Sequence, residues 1–160
     1  MMGKIIIAAD HAGFLLKEEV KSFLSHQGWI VVDEGTGDES PVDYADYAAA
    51  VAGGISSGQY ERGILVCGSG AGMSIVANKF PGVRAALSLN EEMAALSRCH
   101  NDSNILVLAG RMTNSDQALR IVTTWLQTPF EGGRHQRRID KIRAIEQKLT
   151  KTGSDLLIDI

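Results

Sequence analysis

Three stretches of this chain combine residue types that can move protons or hold an anion. Asp10-His11 follows an apolar run, Cys67 opens the segment Gly68-Ser69-Gly70-Ala71-Gly72, and Arg134-His135-Gln136-Arg137-Arg138 sets two guanidinium groups four residues apart. A thiolate can serve as nucleophile or general base. Alternating glycines ahead of a helix let peptide N–H groups face an anion or a developing oxyanion. A carboxylate beside a histidine can hold sugar hydroxyls, bind an anion or pass a proton. Arginines at i and i+4 share a helix face and suit phosphate. In a first helical turn they also oppose the helix dipole, which argues for an anionic partner. Arg111 could add a third guanidinium.

Each signal has a plainer alternative. Cys67 could be an inert core thiol, the glycine loop a tight turn, Asp10 a helix cap and the arginines a solvated face. His100-Asn101-Asp102 could simply end a helix. The glycine loop is neither a dinucleotide fingerprint, because Met73 stands where a third glycine belongs, nor a Walker loop, because G-K-[ST] is missing. Cys99 and His26 read as packing and solvated residues. Two cysteines and four histidines without ligand spacing suggest neither a disulfide nor a metal.

The elements that must position these groups alternate. Ile5–Ala9, Trp29–Val32, Ile64–Cys67, Val83–Leu87 and Ile105–Ala109 read as strands. Helical stripes fall between them: Leu16, Val20, Phe23 and Leu24 in the first, an Ala/Val-rich helix over 43–57, a helix from the glycine loop to about Lys79, and Glu91–Cys99. Ser115 can cap a helix carrying Leu119, Val122 and Leu126. A last helix carries Ile139, Ile142, Ile145 and Leu149. The pattern predicts an α/β fold: a three-layer, Rossmann-like parallel sheet of five strands in order 2-1-3-4-5, helices on both faces, plus a C-terminal helix. Residues 1–150 form one domain and 151–160 a tail. Ligands of such folds sit beyond the strands' carboxyl ends where strands one and three adjoin, and Asp10-His11 and Cys67–Gly72 both fall there.

Composition narrows the class. Of 160 residues 44% are hydrophobic and 22% charged, which excludes a disordered chain. No apolar run reaches the roughly 18 residues of a membrane helix, and the stretch from Met1 to Asp10 lacks the pattern of a signal peptide. A net charge of −3 gives no general attraction to nucleic acid or anionic membrane. The cytoplasm is the simplest compartment.

Taken in order, the blocks Ala9–Gly13, Asp43-Tyr44, Cys67–Ser74, Ala77–Lys79, His100–Asp102 and Gly133–Arg138 make Gly3–Leu149 resemble the ribose-5-phosphate isomerase type B / galactose-6-phosphate isomerase family. The resemblance implies interconversion of aldose and ketose phosphates without metal or cofactor, here D-ribose 5-phosphate and D-ribulose 5-phosphate. It implies Cys67 as the base, the loop around Ser69 and Gly70 to Gly72 as the oxyanion cradle, and Gly68 against the substrate. Asp10 and His100 would open the ring and relay protons, Tyr44 and Asn101 touch substrate, and His11, Arg111, Arg134 and Arg138 hold phosphate. Met73 stands where one branch of the family places a glutamate base, which puts this chain with the cysteine-using kind.

Chain order adds a prediction. Asp10 and Cys67 belong to the carboxyl edge of the sheet, whereas His100-Asn101 precede strand five and belong to the opposite edge. The simplest way for both to serve one substrate is a site shared between two chains, which predicts a homodimer with at least His100 and Asn101 entering from the partner; a dimer of dimers is compatible. Two rivals stand: the same chemistry on a six-carbon substrate such as allose or galactose 6-phosphate, and a non-catalytic flavodoxin-like module binding a nucleotide or a partner.

Overall fold

A computed structural model describes residues 3–155; residues 1–2 and 156–160, including half of the expected tail, lie outside it. The elements run β1 (Lys4–Ala9), α1 (Phe14–His26), β2 (Ile30–Asp33), α2 (Tyr44–Ser56), β3 (Gly63–Cys67), α3 (Ala71–Ala77), β4 (Ala85–Leu87), α4 (Glu91–Cys99), β5 (Ile105–Ala109), α5 (Ser115–Gln127) and α6 (Arg134–Asp155). All strand pairings are parallel. The last helix continues five residues beyond Thr150.

Alternation along the strands divides the core. Ile5, Ile7, Ile64, Val66, Leu106 and Leu108 pack with α1 and α5 through Val20, Leu24, Ile121 and Trp125. Ile6, Leu65, Cys67, Ile105 and Val107 pack with α2 and α3 through Val51, Ile55, Met73 and Ala77. Cys67 therefore ends its strand on the α2–α3 face, two residues beyond Leu65.

The sheet order is β2-β1-β3-β5-β4, not the expected 2-1-3-4-5. Burial explains the exchange. β5 is buried at all five positions, as a central strand must be. β4 has only three residues, all half-buried, which suits an edge. The site gains from it, because Cys67 now stands in register with Ala109 and brings Arg111 beside the glycine loop. A second correction is at α5: Asn114, not Ser115, is the N-cap, its side chain accepting the Gln117 N–H at 2.9 Å. Ser115 is the first helical residue, and its hydroxyl donates to Glu19.

Among the described residues no helix is long and apolar enough to cross a membrane.

Candidate active site

Three loops meet at the carboxyl edge of the sheet. The Asp10 N–H donates to Val66 O at 3.3 Å, Gly110 N–H to Cys67 O at 2.8 Å, and Arg111 N–H to Gly68 O at 3.0 Å. Asp10, Cys67 and Arg111 are thereby fixed to a common scaffold by main-chain bonds. Cys67 is 4% exposed, at the floor of this junction. The Arg111 side chain lies against Gly68, its Cδ and Nη1 3.4 Å from where a Cβ would stand.

The glycines of the loop are structural requirements. Gly70 sits at φ +78°, and a Cβ there would meet Leu87 Cδ1 at 2.4 Å. At Gly72 a Cβ would stand 2.7 Å from the ring of Tyr44, so only a bare Cα lets the tyrosine lie over the loop. Within the described residues the Ser69 and Gly70 N–H groups donate to no backbone carbonyl. Asp10 follows the last residue of β1, and its Oδ1 accepts the Gly13 N–H at 3.0 Å; it is not the cap of α1, whose N-cap residue is Gly13. His11 Nδ1 accepts the Val42 N–H at 3.2 Å, so a neutral ring carries its proton on Nε2, available to an anion. Buried Lys17 fixes the segment that brings Val42 there, through Asp33 Oδ2 at 2.7 Å and Thr36 O at 3.0 Å. Burial raises the Asp33 carboxyl, but hydrogen bonds from Lys17, Lys21 and the Gly35 N–H outweigh it and leave Asp33 below the ordinary carboxylate range.

A second cluster occupies the other edge. His100 caps the C-terminus of α4, ahead of β5. Its ring stacks on His135 with centroids 4.2 Å apart and planes 8° from parallel. Arg134 Nε donates to His135 Nε2 at 3.3 Å, and Arg138 Nη1 approaches Nδ1 at 3.5 Å. Burial first, then the charges of His100, Arg134 and Arg138, hold His135 below the ordinary imidazole value, so it is a neutral platform. The turn bearing His100 and Asn101 is clamped: Asp102, at φ +46°, accepts from Arg98 at 2.8 Å and Arg84 at 2.9 Å. Arg84 Nε also donates to Asn101 O and Asp102 O, and Arg98 to Ser103 O.

The chain also resembles known proteins over nearly its whole length. The profile of the Ribose/Galactose Isomerase family matches residues 5–142. The chain belongs to the ribose/galactose isomerase family. Ribose-5-phosphate isomerase B of Escherichia coli (strain K12) is 45% identical over 147 residues, covering 92% of this chain and 99% of that one. The structure of ribose-5-phosphate isomerase B from Clostridium thermocellum superposes with a TM-score of 0.90 at 50% identity, covering 91% and 99% of the two chains. That of Mycoplasma genitalium, with bound ribulose-5-phosphate, gives a TM-score of 0.88 at 42% identity, covering 92% and 98%.

In this ribose/galactose isomerase chain the structure thus gathers Asp10, His11, Tyr44, Cys67, Gly68, Ser69, Gly70, Gly72 and Arg111 at one edge and His100, Asn101, Arg134 and Arg138 at the other. Five strand residues at about 3.3 Å each put the edges roughly 15 Å apart. Sequence reasoning missed Lys17, Arg84, Arg98 and the ring partner His135, because each acts through a side chain distant in sequence or through stacking. It also missed Glu131, whose N–H donates to Cys99 O at 3.1 Å and ties the start of α6 to the end of α4. Cys99, His100 and Glu131 are the only residues with metal-ligand chemistry grouped together among the described residues.

Proposed function

We propose that the chain interconverts D-ribose 5-phosphate and D-ribulose 5-phosphate through an enediolate, with Cys67 as the base and neither metal nor cofactor. Cys67 at the junction of three loops, next to the glycine cradle, carries this proposal. The thiolate removes the C2 proton of the open-chain aldose as negative charge builds on the C1 oxygen, which then takes up a proton. The enediolate oxygen faces the N–H groups of the Ser69–Gly72 loop, which are already oriented as charge develops. The Cys67 thiol then returns its proton to C1 as the C2 oxygen loses one, leaving the ketose. Asp10 and His100 open the furanose ring, Tyr44 and Asn101 hold hydroxyls, and His11, Arg111, Arg134 and Arg138 hold the phosphate. The binding energy of the phosphate orients the reacting carbons.

One substrate cannot bridge both edges of a single chain, so the second edge comes from a partner copy in a homodimer. Two features support this. Ile145 and Leu149 on α6 are 58% and 69% exposed, an apolar stripe that no described residue covers. Next to them a groove of about 490 Å³ is lined by Val83, Ala86, Asn101, Ile142 and Ile145, continuous with the His100 turn. Residues 1–150 act as one unit, and the cytoplasm is the compartment that suits two free thiols.

Solvent-deuterium exchange at C2 of ribose 5-phosphate tests the base. Cys67→Ala should lose exchange while still binding inorganic phosphate; retained exchange places the base elsewhere. The family description also covers galactose isomerases, so ribose, allose and galactose 6-phosphates or 5-phosphate should be assayed together; preference for a six-carbon sugar would overturn the substrate assignment and leave the chemistry.

A further inference from the structure

Cys99 and His100 are consecutive at the end of α4, and Glu131 reaches them from the loop before α6. One ligand atom from each, Sγ, a ring nitrogen and a carboxylate oxygen, lies within 4.8 Å of the other two. The Glu131 N–H bond to Cys99 O holds the two segments together, and the stack on His135 holds the plane of the His100 ring. Cys99 and His100 are half-buried while Glu131 is exposed; its Oε2 lies 3.5 Å from His135 Nε2, a contact that must give way as the carboxylate rotates inward. Zinc–ligand bonds of about 2.0–2.3 Å put neighbouring ligand atoms roughly 3.5 Å apart, within reach of side-chain rotation here. Thiolate, imidazole and carboxylate together select a thiophilic divalent ion over Mg²⁺ or Ca²⁺. The carbonyl end of α4 favours a cation. Arg134 and Arg138, which face His135 from α6, oppose it, so the negative sulfur is the indispensable ligand.

We propose that Cys99, His100 and Glu131 form an open three-ligand site for a thiophilic divalent cation such as Zn²⁺, and that filling it withdraws His100 from the sugar and stops turnover. On binding, the Cys99 thiol releases its proton to solvent as the metal–sulfur bond forms, and no electron is transferred. The site itself is independent of the isomerase assignment; its inhibitory effect rests on it.

The test is Co²⁺ titration of the full-length protein, read by the sulfur-to-cobalt charge-transfer band and tetrahedral visible bands, alongside Zn²⁺ inhibition of ribose 5-phosphate isomerisation. The band should appear in the wild type and in Cys67→Ala, vanish in Cys99→Ser, and require roughly tenfold or more Co²⁺ in Glu131→Gln. Zn²⁺ should inhibit the wild type reversibly to a chelator, and Cys99→Ser should keep basal activity while losing sensitivity. A missing band overturns the site. A band without inhibition overturns the role given to its filling. Equal Zn²⁺ sensitivity of wild type and Cys99→Ser places inhibition away from Cys99 and likewise overturns the proposal. Should the wild type fail to isomerise any sugar phosphate, the isomerase assignment falls while the band still reports on the site.

Discussion

Both edges of the sheet carry reactive side chains, but they are built by different means. At the carboxyl edge, main-chain bonds between β1, β3 and β5 set the positions of Asp10, Cys67 and Arg111, and glycines remove every atom that would crowd the loop. At the opposite edge the groups are held by side chains: a stacked imidazole pair, and a buried arginine and its neighbour gripping Asp102. The first edge is as rigid as the sheet. The second depends on charge and protonation, so pH and single substitutions reach it more easily.

The sharpest way to test the contrast is to disable one edge in each of two chains. Cys67→Ala and His100→Ala should each lower kcat by about 10²–10⁴-fold. Mixing the two inactive proteins under exchange should restore roughly a quarter of wild-type activity, because half the dimers then carry one intact site. No recovery after verified exchange would put both edges in the service of one chain.

Next in size is Asp102→Ala. It strips both arginines of their carboxylate, leaving Arg98, 4% exposed, without its counter-charge. Because Asp102 is itself part-exposed, thermal unfolding should show a loss of about 2 kcal/mol, less than for a fully buried pair. The turnover defect should exceed that of a carboxyl-edge change of equal stability cost.

Arg134→Ala should raise KM for ribose 5-phosphate about tenfold with a smaller change in kcat, as removal of a charge-assisted phosphate contact does. An unchanged KM would remove Arg134 from phosphate binding.

The smallest expected effect is on pH. His135 has its folded pKa lowered, so the unfolded chain binds the proton more readily. Its contribution to stability is whole above the unfolded value of about 6.5 and is lost as pH falls through that value toward the folded one. Unfolding midpoints should therefore decline from pH 7 to pH 6, and His135→Gln should flatten that slope.

Much of this was readable in the residues alone, for reasons tied to range. Strands with unbroken apolar runs, Asp10-His11 after the first of them and Cys67 before three alternating glycines are local patterns. The strand order was not local: β4 and β5 look alike as short apolar runs, and only the complete burial of Ile105–Ala109 reveals which is central. Asn114 and Ser115 are both good caps, and sequence does not choose between neighbours. Arg84 and Asp102 are 18 residues apart, and Lys17 and Asp33 are 16 apart, beyond any periodicity that marks a pair. His135 stood inside a basic motif whose arginines drew the attention.

The strand-length gap between the edges carries a kinetic corollary. With the site shared between two copies as proposed, a lone chain is half a reagent, so specific activity should fall on dilution along the same curve as subunit association and should rise again with saturating product or substrate, which tether the two halves; activity independent of dilution would refute the sharing.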